Sequence, residues 1–92
     1  MDNNFFKSPA DINKDIANRM RARRKEKKLS QAELSTRSNV SLGSLKRFER
    51  TGEISLSSLI KIAFTLGYED DFDHLFAKKK YLSIREVIDE QA

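Results

Sequence analysis

The side chains in this sequence with chemistry to offer are mostly cations. Residues 19–28, RMRARRKEKK, hold seven Lys or Arg against one Glu. A second group follows in residues 41–51, SLGSLKRFERT, with Lys46, Arg47 and Arg50. Guanidinium and ammonium groups donate hydrogen bonds and accept none, so a face lined with them suits an anionic partner such as nucleic acid. The plainer alternative is a solvated helix face. Covalent and metal chemistry has far less to work with. There is no cysteine and one histidine, His74. That excludes disulfides and thiolate sites and leaves no multi-histidine zinc site. No nucleophile is spaced with a base, and there is no Gly-rich phosphate loop. His74 lies beside the acidic run EDDFD, residues 69–73, and reads as a surface or core-edge residue rather than a switch. The chain reads as a binding protein, not an enzyme, with no cofactor and no metal.

The elements that must position those cations are legible from their start signals. Ser8-Pro9 places a capping hydroxyl before a proline at the first helical position, with Asp11 in the first turn. Ile12, Ile16 and Met20 then form one apolar stripe, predicting a helix from Pro9 to Lys27. Ser30 and Glu33 make the S-x-x-E capping box of a second helix ending at Arg37 or Ser38. Asn39 suits a left-handed C-cap. Ser41 caps a third helix, with Leu45 and Phe48 facing inward and Gly52 after it. Ser55 or Ser57 caps a fourth, the most apolar, which runs through Leu56, Leu59, Ile60, Ile62, Ala63 and Leu66 to Gly67. A short fifth helix is expected from Asp70 to Phe76, with Phe72, Leu75 and Phe76 packed inward. Ser83 and Glu86 repeat the S-x-x-E pattern, so the tail holds either a sixth helix or a strand through Tyr81, Leu82 and Ile84. Phe5 and Phe6 are an arm or a clasp on a neighbouring subunit.

The second and third helices are short and separated only by Asn39 and its neighbours. A short helix, a tight turn and a second short helix is the helix-turn-helix layout. Ser35 is small enough for the crossing. Leu34, Val40, Leu45 and Phe48 anchor both helices, which turns Leu42, Gly43, Ser44, Lys46, Arg47 and Arg50 outward.

The segments RMRARRKEKKLSQAEL, SNVS, LKRFER and SLIKIAFTLG occur in an order and spacing that resembles the Cro and phage-repressor type of helix-turn-helix domain, also called the XRE family. The resemblance runs from Ile16 through Phe76. It implies an all-α, compact five-helix lambda-repressor-like domain, with a short C-terminal extension. It further implies a homodimer on an inverted-repeat site in double-stranded DNA, with the third helix in the major groove. By resemblance, Gln31 meets a phosphate at the start of the second helix. Ser41, Leu42, Gly43, Ser44, Lys46 and Arg47 match the groove-facing positions, where Lys46 and Arg47 suit guanine and Leu42 a thymine methyl. Arg50 and Thr51, placed after the helix, suit phosphates. Arg24 and Glu49 match a partly buried structural ion pair. The stretch FERTGEISLSSLIKIAFTLG also resembles a narrower branch, the HipB-like antitoxins, which would add a HipA-like kinase toxin as partner.

The expected organisation is an N-terminal arm over residues 1–8, the helix-turn-helix domain over 9–77 and the extension over 78–92. A length of 92 residues with 38% hydrophobic content and a formal charge of +4 suits one small domain. No apolar run approaches the ~20 residues of a membrane span, and no signal core is evident at the N-terminus. The expectation is a cytoplasmic, sequence-specific transcriptional regulator, most simply a repressor, with the antitoxin role as its alternative.

Overall fold

Serine hydroxyls start each of the four α-helices among the described residues. The computed structural model describes residues 7–80. Helix α1 spans Pro9–Glu26, α2 Gln31–Ser38, α3 Leu42–Thr51 and α4 Leu56–Leu66, and a 3-10 helix follows at Glu69–His74. Ser8 accepts from the Asp11 N–H at 3.1 Å while Asp11 accepts from the Ser8 N–H at 3.0 Å. Ser30 and Glu33 make the same reciprocal pair at the start of α2. Ser41 and Ser55 cap α3 and α4 by accepting from the N–H groups of Ser44 and Ser58. Each cap satisfies donors that a helix start leaves orphaned, a contribution of about 1 kcal/mol. Asn39 takes the left-handed conformation between α2 and α3, with φ 59°.

Helix α3 is packed between α1 and α2, α4 packs on α2, and the 3-10 helix covers part of α4. The core they enclose contains Ala17, Met20, Leu29, Leu34, Val40, Leu45, Phe48, Ile62 and Leu66, with Ile16, Ile54 and Leu59 packed at its edge. Phe48, Leu34, Leu45 and Ile62 are the largest fully buried side chains, each stabilising the fold by about 1.5–3 kcal/mol through burial.

Gly52 fixes how closely α3 can approach α1. It ends α3 with φ 84° and donates its N–H to the Phe48 carbonyl at 2.7 Å. A Cβ at this position would lie 2.8 Å from the Asn13 carbonyl carbon and 2.9 Å from the Lys14 nitrogen. Both the backbone conformation and the close approach therefore require glycine.

Three expectations are corrected. The apolar stripe of α1 holds for Met20, which is buried, and for Ile16, which packs at the core edge, but not for Ile12. The buried residues of α1 are Ala17, Met20 and Arg24, and Ile12 is 48% exposed. Asn13 and Lys14 meet Gly52 at the end of α3, so only the first turn of α1, which includes Ile12, extends past that contact. The fifth element is a 3-10 helix from Glu69 to His74 rather than a helix from Asp70 to Phe76. Phe72 is half-buried, but Leu75 and Phe76 point into solvent beyond the helix end. Leu56 and Phe64 are also exposed, because the buried arc of α4 is centred on Ile62, Ala63 and Leu66. The readings made for Phe5, Phe6 and the segment after Lys80 lie outside the described residues.

Candidate nucleic-acid interface

The turn between α2 and α3 is closed by serines. The Ser35 hydroxyl donates to the Val40 carbonyl at 2.6 Å, and the Val40 N–H donates to the Ser38 hydroxyl at 3.3 Å. Ser35 thus does more than leave room for a crossing, since it bonds the far side of the turn back to α2. Ser38 is 5% exposed and Val40 4% exposed, so these bonds satisfy polar groups shut away from water.

With Leu45 and Phe48 buried, the opposite arc of α3 carries Leu42, Gly43, Lys46, Arg47 and Arg50, all exposed. These side chains recur at the spacing that puts residues three and four apart on one helix face. Three of the five are cationic. The single acid of α3, Glu49, lies on the flank of the helix against α1, with its side chain 5% exposed. Ser41 and Ser44 lie at the start of the same helix, where the Ser41 hydroxyl caps Ser44 and donates to its hydroxyl at 2.8 Å. Arg50 and Thr51 do not follow the helix, as the sequence suggested, but form its last turn. The Thr51 hydroxyl donates to the Arg47 carbonyl at 2.8 Å and accepts from the Glu53 N–H at 3.1 Å. It is a terminating group of α3 as well as a surface one.

Behind this face, Glu49 joins three helices. Its two oxygens accept from Arg24 Nε and Nη2 of α1, each at 2.8 Å. Oε1 also accepts from Gln31 Nε2, the first residue of α2, at 3.1 Å. Arg24 Nη1 donates to the Leu29 carbonyl at 2.8 Å. The parallel fork of a guanidinium on a carboxylate fixes orientation as well as distance. Arg24, Gln31 and Glu49 are therefore brought together in one cluster. Gln31 is half-buried at the N-terminus of α2. Its amide carries two protons, and the Glu49 bond uses one.

Two electrostatic partners were missed in the sequence. Arg21 Nε lies 3.6 Å from Glu49 Oε1. It is three residues before Arg24 and so on the same face of α1, a signal that was available. Glu53 Oε2 accepts from Arg47 Nη2 at 2.7 Å. That contact crosses the Gly52 turn, and no helical spacing marks it. Near the surface, Glu33 has its carboxyl held below the ordinary carboxylate range, first by the Ser30 N–H and then by the Ser30 hydroxyl.

The short α2, the left-handed turn and the outward cationic arc of α3 define a helix-turn-helix domain built for a nucleic-acid partner. A family model described as helix-turn-helix matches residues 20–72, more than half the chain, and the protein belongs to this family, of the Cro/C1 or XRE type. It is a DNA-binding transcription regulator with an all-helical, lambda-repressor-like domain. No curated protein matches the chain in sequence. No helix among the described residues is long and apolar enough to cross a membrane.

Proposed function

We propose that the protein is a sequence-specific repressor that binds an inverted-repeat operator as a homodimer, with α3 in the major groove. The observation that carries this reading is the outward arc of α3. It presents Lys46, Arg47 and Arg50 with no acid of its own helix among them, because Glu49 is held on the flank against α1. In this reading Lys46 and Arg47 donate to guanine O6 and N7, and Leu42 packs on a thymine methyl. Gly43 lets the α3 backbone approach the base edges. Ser41 and Ser44 lie at the leading end of the helix. Gln31, Arg50 and Thr51 take backbone phosphates, with the second amide proton of Gln31 available for that contact. The Arg24–Glu49 pair positions α3 from behind.

A homodimer requires a protein-binding surface. Leu56, Phe64, Leu75 and Phe76 supply large exposed apolar side chains on α4 and just after the 3-10 helix. Such side chains favour association with a second copy. These exposed side chains also suit the second reading, an antitoxin that holds a HipA-like kinase and represses its own operon.

The test is fluorescence anisotropy on the DNA upstream of the protein's own gene and on a scrambled duplex, at low and near-physiological salt. Tight binding to the upstream duplex alone, surviving the higher salt, is the expected result. Equal, salt-fragile binding to both duplexes would refute a self-sufficient repressor. Light scattering of the free protein then reads the dimer directly.

A further inference from the structure

We propose that Arg21 is a DNA-phosphate-binding residue that works beside Gln31. The inference rests on the DNA-binding reading and adds to it a contact from α1. Its basis is the charge balance at Glu49. One carboxylate faces two guanidiniums. Arg24 takes both oxygens at 2.8 Å and is buried, whereas Arg21 approaches Oε1 at 3.6 Å with its side chain 53% exposed. A single negative charge cannot neutralise both, so the cluster retains about one positive charge, and the exposed member, Arg21, carries it to solvent.

Geometry brings that charge to the DNA-facing groups of α2. Arg21 Nε and Gln31 Nε2 lie 3.6 and 3.1 Å from the same oxygen, so the two nitrogens are within about 7 Å of each other. The Glu49 contact engages Nε and leaves the two Nη groups of the fork for another acceptor. A phosphate with two oxygens to offer is the natural bidentate partner for that fork. At 3.6 Å the Glu49 contact is a loose ion pair and not a hydrogen bond, so Arg21 stays free to turn its fork toward a phosphate. Arg23, by contrast, is paired within α1 to Glu26 at 3.0 Å.

The experiment measures the salt dependence of binding to the upstream duplex and to a scrambled duplex for wild type, Arg21→Ala, Arg21→Gln and a control, Lys61→Ala. Lys61 lies exposed on α4, which packs on α2 and the 3-10 helix. The expected result is a slope of log K against log salt smaller by about 0.9 for both Arg21 variants. Affinity should fall roughly tenfold on both duplexes, with the ratio between them unchanged. Lys61→Ala should keep the wild-type slope. Circular dichroism melting checks that the variants remain folded, and Arg21→Gln keeps much of the length of the side chain while removing its charge. A wild-type slope in both Arg21 variants, with tight wild-type binding, would overturn the role of Arg21 and leave the DNA reading intact. A wild-type protein that binds neither duplex would overturn both.

Discussion

Replacing Glu49 with Gln should be among the most damaging conservative changes in the protein. The side chains of Arg24 and Glu49 are 9% and 5% exposed, and their two bonds are 2.8 Å long. A glutamine of the same shape offers one oxygen and a donor where two acceptors are needed. Arg24 would keep the single amide oxygen and the Leu29 carbonyl as acceptors, but no counter-charge. Leaving such a charge buried and unpaired costs about 3–5 kcal/mol. For a chain of this length, total stability is on the order of 5–14 kcal/mol, so the loss is a large fraction. Arg24→Met keeps the buried stem and removes the charge. It leaves Glu49 with Gln31 and with Arg21 close by, so it should cost less, by about 1–2 kcal/mol. The double variant, Arg24→Met with Glu49→Leu, removes both charges and should lie within about 1 kcal/mol of wild type. The chain has no tryptophan, so urea unfolding is followed by far-UV circular dichroism. A cost below about 1 kcal/mol for Glu49→Gln, or a double variant whose loss equals the sum of the Arg24→Met and Glu49→Leu single losses, would refute the reasoning.

A Cβ added at Gly43 would meet only open space, so Gly43→Ala should stabilise the free protein by about 0.5–1 kcal/mol. It should weaken DNA binding at the same time, and unchanged or tighter binding would argue against close backbone approach at this position. Gly52→Ala meets both the positive φ and the α1 backbone and should cost about 2–4 kcal/mol; a melting point lowered by less than about 4 °C would contradict that packing. Glu53→Gln releases Arg47 from an exposed ion pair, and because such pairs contribute about 0–1 kcal/mol, DNA affinity should rise by at most about fivefold with little change in melting. The Asp11 and Glu33 carboxyls are both lowered, first by the N–H and then by the hydroxyl of their cap serines. The folded state therefore holds protons on them less readily than the unfolded chain. Stability from these boxes is present above the ordinary carboxylate range and is lost as pH falls through the lowered values. Ser30→Ala should flatten this acid limb in a series of melts at decreasing pH, and an unaltered limb would exclude the α2 box as its source.

The helix starts were legible because capping is local. A serine and an acid three residues apart satisfy each other wherever the chain goes next, and Ser8, Ser30, Ser41 and Ser55 all do so or cap alone. The turn was legible for the same reason, since Asn39 tolerates the left-handed conformation with little outside help. Legibility failed where a residue's environment is set by another element. Ile12 has the right period to be buried, but α1 outruns the helix it packs on. Leu75 and Phe76 have the right chemistry, but the 3-10 helix ends at His74 and projects them outward. Arg47 looks like a free cation in sequence, and its bond to Glu53 exists only because Gly52 turns the chain back.

The cluster at Glu49 also bears on why a small domain would keep a buried ion pair that apolar residues of similar volume could replace. Leu45 and Phe48 hold α3 against the core, but apolar contact is non-directional and sets the rotation of the helix weakly. The Arg24 fork is directional, and Glu49 lies on the flank of α3 between its buried and outward arcs. Fixing that carboxylate fixes where Lys46, Arg47 and Arg50 point. Gln31 is tied to the same oxygen, so the start of α2 is registered against the outward face of α3. The double variant Arg24→Met, Glu49→Leu separates the two roles. If the pair acts mainly through orientation, this variant melts near wild type yet binds the upstream duplex more weakly and discriminates less against the scrambled one. If it binds and discriminates as wild type does, the apolar core alone sets the pose of α3, and the buried charges contribute nothing to recognition.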